Sequence, residues 1–285
     1  MADQVSSTSE RWPRFRLSSV VRYAILVLAG VIFLLPFYWG VVSSFRPAAQ
    51  FFELPISFIP NPLSIENYQA LFERSMFGRG LLNSAYLAIV AVILQVGFCS
   101  LAGYTFAKLS FPGRDRLFAG VLLTMMIPVG VGLIPNFIIM ARINWIDTYL
   151  PLIVPGIANA FGIFWMRQTC LSIPDDLLDA ARIDGAGEFS IYYRIVLPLI
   201  RPALAALAIF VFLASWNDFL RPLVYLRSQE NFTVQLWLSL LSRQGNVGQP
   251  AIVMAGAVLA TLPIVVMFAA FQRHFIAGLT AGSGK

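Results

Sequence analysis

Long uncharged runs alternate with short charged segments along this chain, and about 20 consecutive apolar residues suffice to carry a helix across the hydrocarbon core of a bilayer. Six runs stand out: Tyr23 to Phe45, Gly80 to Ala107, Leu117 to Ala141, Thr148 to Met166, Pro202 to Asn217 and Gln244 to Gln272. The fifth reaches full length only by taking in Asp218 and the residues after it. The pattern predicts an all-α membrane protein with six transmembrane helices at about 23–45, 80–107, 117–141, 148–167, 202–222 and 250–272, behind an amino-terminal tail of residues 1–22. Between the fourth and fifth spans lies a polar interruption, residues 172–201.

That interruption has helix signals of its own. Pro174 suits a first helical position, Asp175 and Asp176 complement the positive end of the helix dipole, and Gly185 is placed to end the helix in the left-handed conformation. A helix from about Pro174 to Asp184 follows, with Leu177, Ala180, Ala181 and Asp184 on one face, where the two alanines permit close approach by another surface. Asp175, Asp179 and Arg182 lie on the opposite side at pairing distance along a helix. A second piece from about Glu188 to Val196 carries Phe189, Tyr192, Tyr193 and Val196 before Pro198 and Pro202 turn the chain back. On pattern alone this helix-turn-helix is either a docking element for a partner or an amphipathic helix resting on lipid headgroups.

Composition supports the membrane assignment: 58% of residues are hydrophobic and 12% charged, against about a quarter charged in soluble domains, and the mean hydropathy is +0.76. The positive-inside bias sets the orientation. With the amino terminus inside, Arg11, Arg14, Arg16, Arg22, Lys108, Arg114, Arg116, Arg167, Arg182, Arg194, Arg201, Arg273 and Lys285 all fall in the cytoplasm. Both termini and residues 172–201 are then cytoplasmic. These inward arginines account for the net charge of +6, so no nucleic-acid partner is implied. The first run is long and lacks a prompt small-x-small cleavage site, which reads as an uncleaved anchor.

Catalytic chemistry has little to stand on. Cys99 and Cys170 are far apart and read as packing residues, and the lone His274 leaves no metal cluster and no Ser-His-Asp or Cys-His pair. Gly282-Ser283-Gly284-Lys285 fails as a phosphate loop, because Leu279 stands where the first glycine is required. The chain is therefore expected to be no enzyme, to carry no metal and no cofactor, and to leave any ATP-driven work to another chain. Asp218 is a carboxylate close to a span, at about 24 Å from Pro202 and so toward the outer edge. It can pair with Arg221 in a structural or outer-gate role, or touch substrate. Asn83, Gln95, Asn136, Asn159 and Asn217 either line a translocation path or bond neighbouring helices, and Pro128, Pro135, Pro151, Pro155 and Pro263 are candidate kinks.

Asp179-Ala180-Ala181, Asp184-Gly185-Ala186 and Ile195-Val196-Leu197-Pro198 resemble, in order and spacing, the EAA loop of bacterial ABC importer permeases. That loop usually reads E-A-A-x-x-D-G-A followed by I-x-L-P; here Asp179 replaces the Glu, keeping its charge on an arm one methylene shorter. Glu66-Asn67-Tyr68, Asn83-Ser84, Ala102 to Ala107, Met126-Ile127-Pro128, Phe164 to Gln168, Trp216-Asn217-Asp218 and Phe271 to Phe275 are similar to the carbohydrate branch, in particular to the second permease of maltose-type importers. The resemblance implies the six-helix fold of type I importers in the bacterial inner membrane. It also implies a machine of this subunit, a paralogous permease, two ATPase subunits that bind ATP and Mg, and an extracytoplasmic solute-binding protein. By that resemblance Ala180, Ala181 and Gly185 would touch the ATPase, Asp179, Asp184 and Ala186 would complete the docking loop, and Pro198 would fix the return into the fifth span. The solute would be a sugar or a sugar-like compound such as an oligosaccharide, polyol or glycerophosphate. A self-sufficient channel or ion-coupled carrier is the alternative, but it calls for more mid-membrane charge than this chain offers.

Overall fold

The computed structural model describes residues 19–47, 50–51, 58–59, 61–243 and 249–281. Most of the amino-terminal tail, the start of the sixth uncharged run at Gln244, and Gly282 to Lys285 lie outside the described residues. Every regular element among those described is helical. In chain order they are α1 (Ser19–Ser44), α2 (Glu66–Arg74), α3 (Phe77–Lys108), α4 (Arg114–Met125), α5 (Val129–Arg142), α6 (Leu150–Ile153), α7 (Ala160–Leu171), α8 (Asp175–Ile183) and α9 (Glu188–Ile191). There follow α10 (Leu197–Leu199), α11 (Arg201–Trp216), α12 (Leu220–Tyr225), α13 (Val234–Arg243) and α14 (Gln249–Ala281).

Four stretches are long and apolar enough to cross a membrane: Val20–Ser44, Phe77–Lys108, Leu150–Leu171 and Pro250–Ala270. Two bent pairs, α4 with α5 and the 188–199 segment with α11, qualify when each is taken together, so the described residues hold four spans or up to six. The outer surface is what lipid demands. On α1, Val20 and Phe33 are each 76% exposed, a cost in water that vanishes in hydrocarbon.

The expected spans are interrupted at specific residues. The third breaks at Pro128, which stands just ahead of α5, while Pro135 remains inside that helix. The fourth passes from α6 through a tight turn at Val154–Gly156 and reopens at Asn159. The fifth differs from expectation: α11 ends at Trp216 after 16 residues, about 24 Å, and α12 starts afresh at Leu220. Pro36 and Pro263, by contrast, sit within continuous helices.

α3 is central. Its 32 residues extend about 48 Å, and it crosses α7 at backbone contact. A Cβ on Gly103 would lie 2.5 Å from Met166 Cβ, and one on Gly162 would lie 2.7 Å from Cys99 Sγ. Small residues at such crossings let helices gain dispersion contact where lipid supplies no hydrophobic drive. Cys99, Tyr104, Met166, Cys170, Leu178, Ile191, Val196 and Leu207 form one core that joins α3 and α7 to the polar interruption. A second core around Phe77, Trp216, Trp237 and Ala255 ties the start of α3 to α11, α13 and α14.

Candidate functional site

Residues 172–201 fold as a helical hairpin against the end of α3. Pro174 precedes α8 with ψ of 135°, Asp175 and Asp176 occupy the first turn, and Arg182 the last. Gly185 has φ of +82°, which only glycine adopts freely. The Gly185 amide donates to the Arg182 carbonyl at 3.0 Å and the Ala186 amide to the Ala181 carbonyl at 3.0 Å. This is a Schellman closure, and it satisfies carbonyls that a helix end otherwise leaves bare.

Leu178 is wholly buried and anchors α8, with Ala181 half-buried beside it on the chain's own core. Of the two motif alanines, Ala180 is therefore the exposed one, because 178, 181 and 182 make the inward face at helical spacing. Leu177 is 44% exposed and Ile183 86% exposed, on the same side as Ala180 and Asp184. Ile183 escaped the sequence reading. An isoleucine stranded three residues beyond Ala180, outside the buried stripe, was the available signal.

The charged residues of α8 are largely spoken for within the chain. Arg182 contacts Asp179 at 2.6 Å and Glu188 at 2.7 Å. Asp175, expected on the side of Arg182, pairs instead with Lys108 of α3 at 2.6 Å, and the Lys108 ammonium also donates to the Ile173 carbonyl at 2.6 Å. The Tyr104 hydroxyl donates to Glu188 at 2.6 Å. The Arg182 guanidinium, and after it the Tyr104 hydroxyl, hold the Glu188 carboxyl below its ordinary range, and the bond from Lys108 does the same for Asp175. A depressed carboxyl contributes fully above its unfolded value, near 4, and loses that contribution as pH falls through the folded one, so these contacts are intact at neutral pH.

Pro198 is the second residue of α10, directly after a π-helical turn at Tyr192–Val196. Proline removes an i→i−4 bond and crowds the preceding turn, and the wider π turn gives it room. The axis then bends by 80° into α11.

Among the proposed path residues, Asn83 and Asn217 both reach the 230–235 segment. Asn83 donates to the Glu230 and Phe232 carbonyls at 2.8 and 3.0 Å, and Asn159 caps α7 by accepting from the Gly162 amide at 3.0 Å. Asn217 accepts from Gln235 at 3.4 Å, and Asn136 is exposed on α5. Asp218 pairs with Arg221 at 2.5 Å, and Arg221 reaches on to the Leu152 carbonyl at 3.4 Å. Gln95, Ser215 and Arg221 line a cavity of about 40 Å³ beside the break in the fourth span, room for a few waters but not for a sugar. Cys99 and Cys170 are buried free thiols, and Cys99 donates to the Asn159 carbonyl at that break, 3.5 Å away.

Asp147 ties two loops on the opposite side of the bundle. Its carboxylate accepts from the Arg227 and Ser228 amides at 2.9 and 3.0 Å, from the Ser228 hydroxyl, and from Asn231 at 3.3 Å. Burial alone would raise its pKa, but these hydrogen bonds outweigh burial and hold the carboxyl well below the usual range. The contribution is present above the unfolded value, near 3.9, and fades as pH falls through the folded one. Asp147→Ala is expected to destabilise the protein by about 1–3 kcal/mol at neutral pH, visible as a lower melting temperature in detergent that converges toward wild type on strong acidification.

Long apolar helices, with breaks and a capped hairpin packed against one of them, are the build of a multi-pass membrane protein. The chain belongs to the family described as binding-protein-dependent transport system inner membrane component, which it matches over residues 96–280, and it is the permease subunit of an ABC importer. It is 41% identical over 249 residues to the arabinooligosaccharides transport system permease protein AraQ of Halalkalibacterium halodurans, covering 86% of this chain and 88% of that one. To the lactose transport system permease protein LacG of Rhizobium radiobacter it is 34% identical, covering 93% and 96%. Its fold matches, with a TM-score of 0.81 at 23% identity and over 90% and 95% of the two chains, a chain in the crystal structure of a bacterial ABC transporter involved in the import of the acidic polysaccharide alginate.

Proposed function

We propose that this chain forms, with a paralogous permease, the path by which a sugar or sugar-like solute enters the cell, and that α8 is the helix through which two separate ATPase subunits drive it. In this reading six spans cross the inner membrane with both termini inside, and ATP and Mg are bound by the ATPase subunits. An extracytoplasmic protein delivers the solute to the outer side. The observation that carries the reading is the make-up of α8: Leu177, Ala180 and Ile183 point outward while Asp175, Asp179 and Arg182 are engaged within the chain. Relatives named for arabinooligosaccharide, lactose and sn-glycerol-3-phosphate transport support a sugar or sugar-like solute.

The test is to purify the chain from membranes with its bound partners and reconstitute the assembly in proteoliposomes with the cognate binding protein. Recovery of an ATPase subunit and ATP-dependent uptake of labelled oligosaccharide are expected. A transport-competent unit that lacks any ATPase, or uptake driven by an ion gradient alone, would overturn the reading.

A further inference from the structure

Ser100, Tyr104 and Lys108 recur at every fourth residue of α3 and so lie on one face, about 6 Å apart along the axis. Each grips a different part of the hairpin. Ser100 shares a hydrogen bond of 2.8 Å with the Tyr192 hydroxyl in the π turn, Tyr104 donates to Glu188 at the start of α9, and Lys108 holds the Ile173 carbonyl and Asp175 at the start of α8. Arg182 closes the set by bonding Asp179 and Glu188 together. The gripping groups on α3 are enclosed: Ser100 is 1% and Tyr104 2% exposed, and the Lys108 side chain 5%. Sliding the hairpin along α3 would take the Tyr104 hydroxyl and the Lys108 ammonium from their partners and leave Ser100 only the Gly97 carbonyl of its own helix, and unmade polar contacts cost most where the groups are enclosed.

α3 is also the one membrane-length element among the described residues with neither a proline nor a break. α1 and α14 contain Pro36 and Pro263, and the third, fourth and fifth expected spans are interrupted. At its far end the same helix has a second set of grips. Asn83 bonds the Glu230 and Phe232 carbonyls, Ser84 accepts from the Val234 amide at 2.9 Å, and Gly80 lies so close to Trp237 that a Cβ there would meet its ring at 2.5 Å. From Ser84 to Lys108 is about 36 Å.

We propose that α3 is a rigid strut whose Ser100, Tyr104 and Lys108 lock it to the docking hairpin, so that a displacement of α8 reaches the 229–237 segment on the far side of the membrane undiminished. Ser100, Tyr104 and Lys108 act through the hairpin they hold and are positioning residues. The inference rests on the reading of α8 as the ATPase-docking helix.

The test uses the assembled complex in proteoliposomes and reads solute imported per ATP hydrolysed. Tyr104→Phe combined with Lys108→Met is expected to lower that ratio about tenfold while ATP hydrolysis stays within about twofold of wild type, and Lys108→Arg in place of Lys108→Met is expected to restore most of it. Tyr104→Phe alone removes a single oxygen and is expected to lower the ratio measurably even where the double variant fails to assemble. If the ratio is unchanged in Tyr104→Phe and in any assembled double variant, the strut is overturned; uptake and hydrolysis falling in step has the same meaning. A wild-type complex that carries no ATPase would instead overturn the docking reading itself, so the two failures are told apart.

Discussion

Ala180→Glu and Gly185→Glu are each expected to leave the chain inserted and assembled with its partner permease, yet to reduce uptake on the order of a hundredfold, the loss that follows when a charge is forced into a small, dry contact. Ala180 is exposed on α8, and Glu is a good helix former, so the substitution costs the isolated chain no more than about 0.5 kcal/mol. Gly185 differs in that its φ of +82° charges any L residue about 1–2 kcal/mol, although no atom lies within 4 Å of where its Cβ would stand. Gly185→Ala carries that backbone cost without the new charge and separates the two contributions. Detergent-solubilised yield reports folding, and uptake in cells or proteoliposomes reports function. Normal uptake in both Glu variants would reject the assignment of this face.

The second large effect lies inside the bundle. Gly103→Val is expected to remove folded protein altogether, because the added Cβ would sit 2.7 Å from the Arg167 amide nitrogen and 2.8 Å from the Met166 carbonyl carbon, backbone atoms that cannot turn aside. Overpacking of this kind costs about 1–3 kcal/mol or more, and here it would part the α3–α7 crossing on which the first core is built. Gly97, six residues earlier on the same helix, has nothing within 4 Å of its would-be Cβ, so Gly97→Ala should be neutral or slightly stabilising, by up to about 1 kcal/mol. Size-exclusion profiles and thermal melts of the two variants make the comparison. Equal behaviour would show that the crossing has slack.

Local signals in the sequence foretold the local structure. Pro174, the paired aspartates and Gly185 place the two ends of α8 within a residue of where they lie, because a helix end is decided by a few neighbouring dihedrals and hydrogen bonds. Hydropathy likewise pointed to the four membrane-length stretches, while the third and fifth expected spans fall on bent helix pairs. Tertiary pairing was out of reach. Pro36 and Pro263 sit in continuous helices whereas Pro128 marks a break, and the difference depends on what neighbouring groups do for the freed carbonyls. Lys108 finds Asp175 across 67 positions of chain, and Glu188 finds both Tyr104 and Arg182. Nothing in the spacing of these residues announces it. The partners of the asparagines were out of reach for the same reason: Asn83 and Asn217 both bond the 230–235 segment, and Asn159 caps α7.

The Schellman closure of α8 has a thermodynamic consequence. A helix end with dangling carbonyls must keep its water or leave hydrogen bonds unmade, and either choice penalises every entry into a dehydrated crevice. At Arg182 and Ala181 those carbonyls already have donors in Gly185 and Ala186. The tip could therefore enter a dry contact of the kind proposed for α8 with little enthalpic toll.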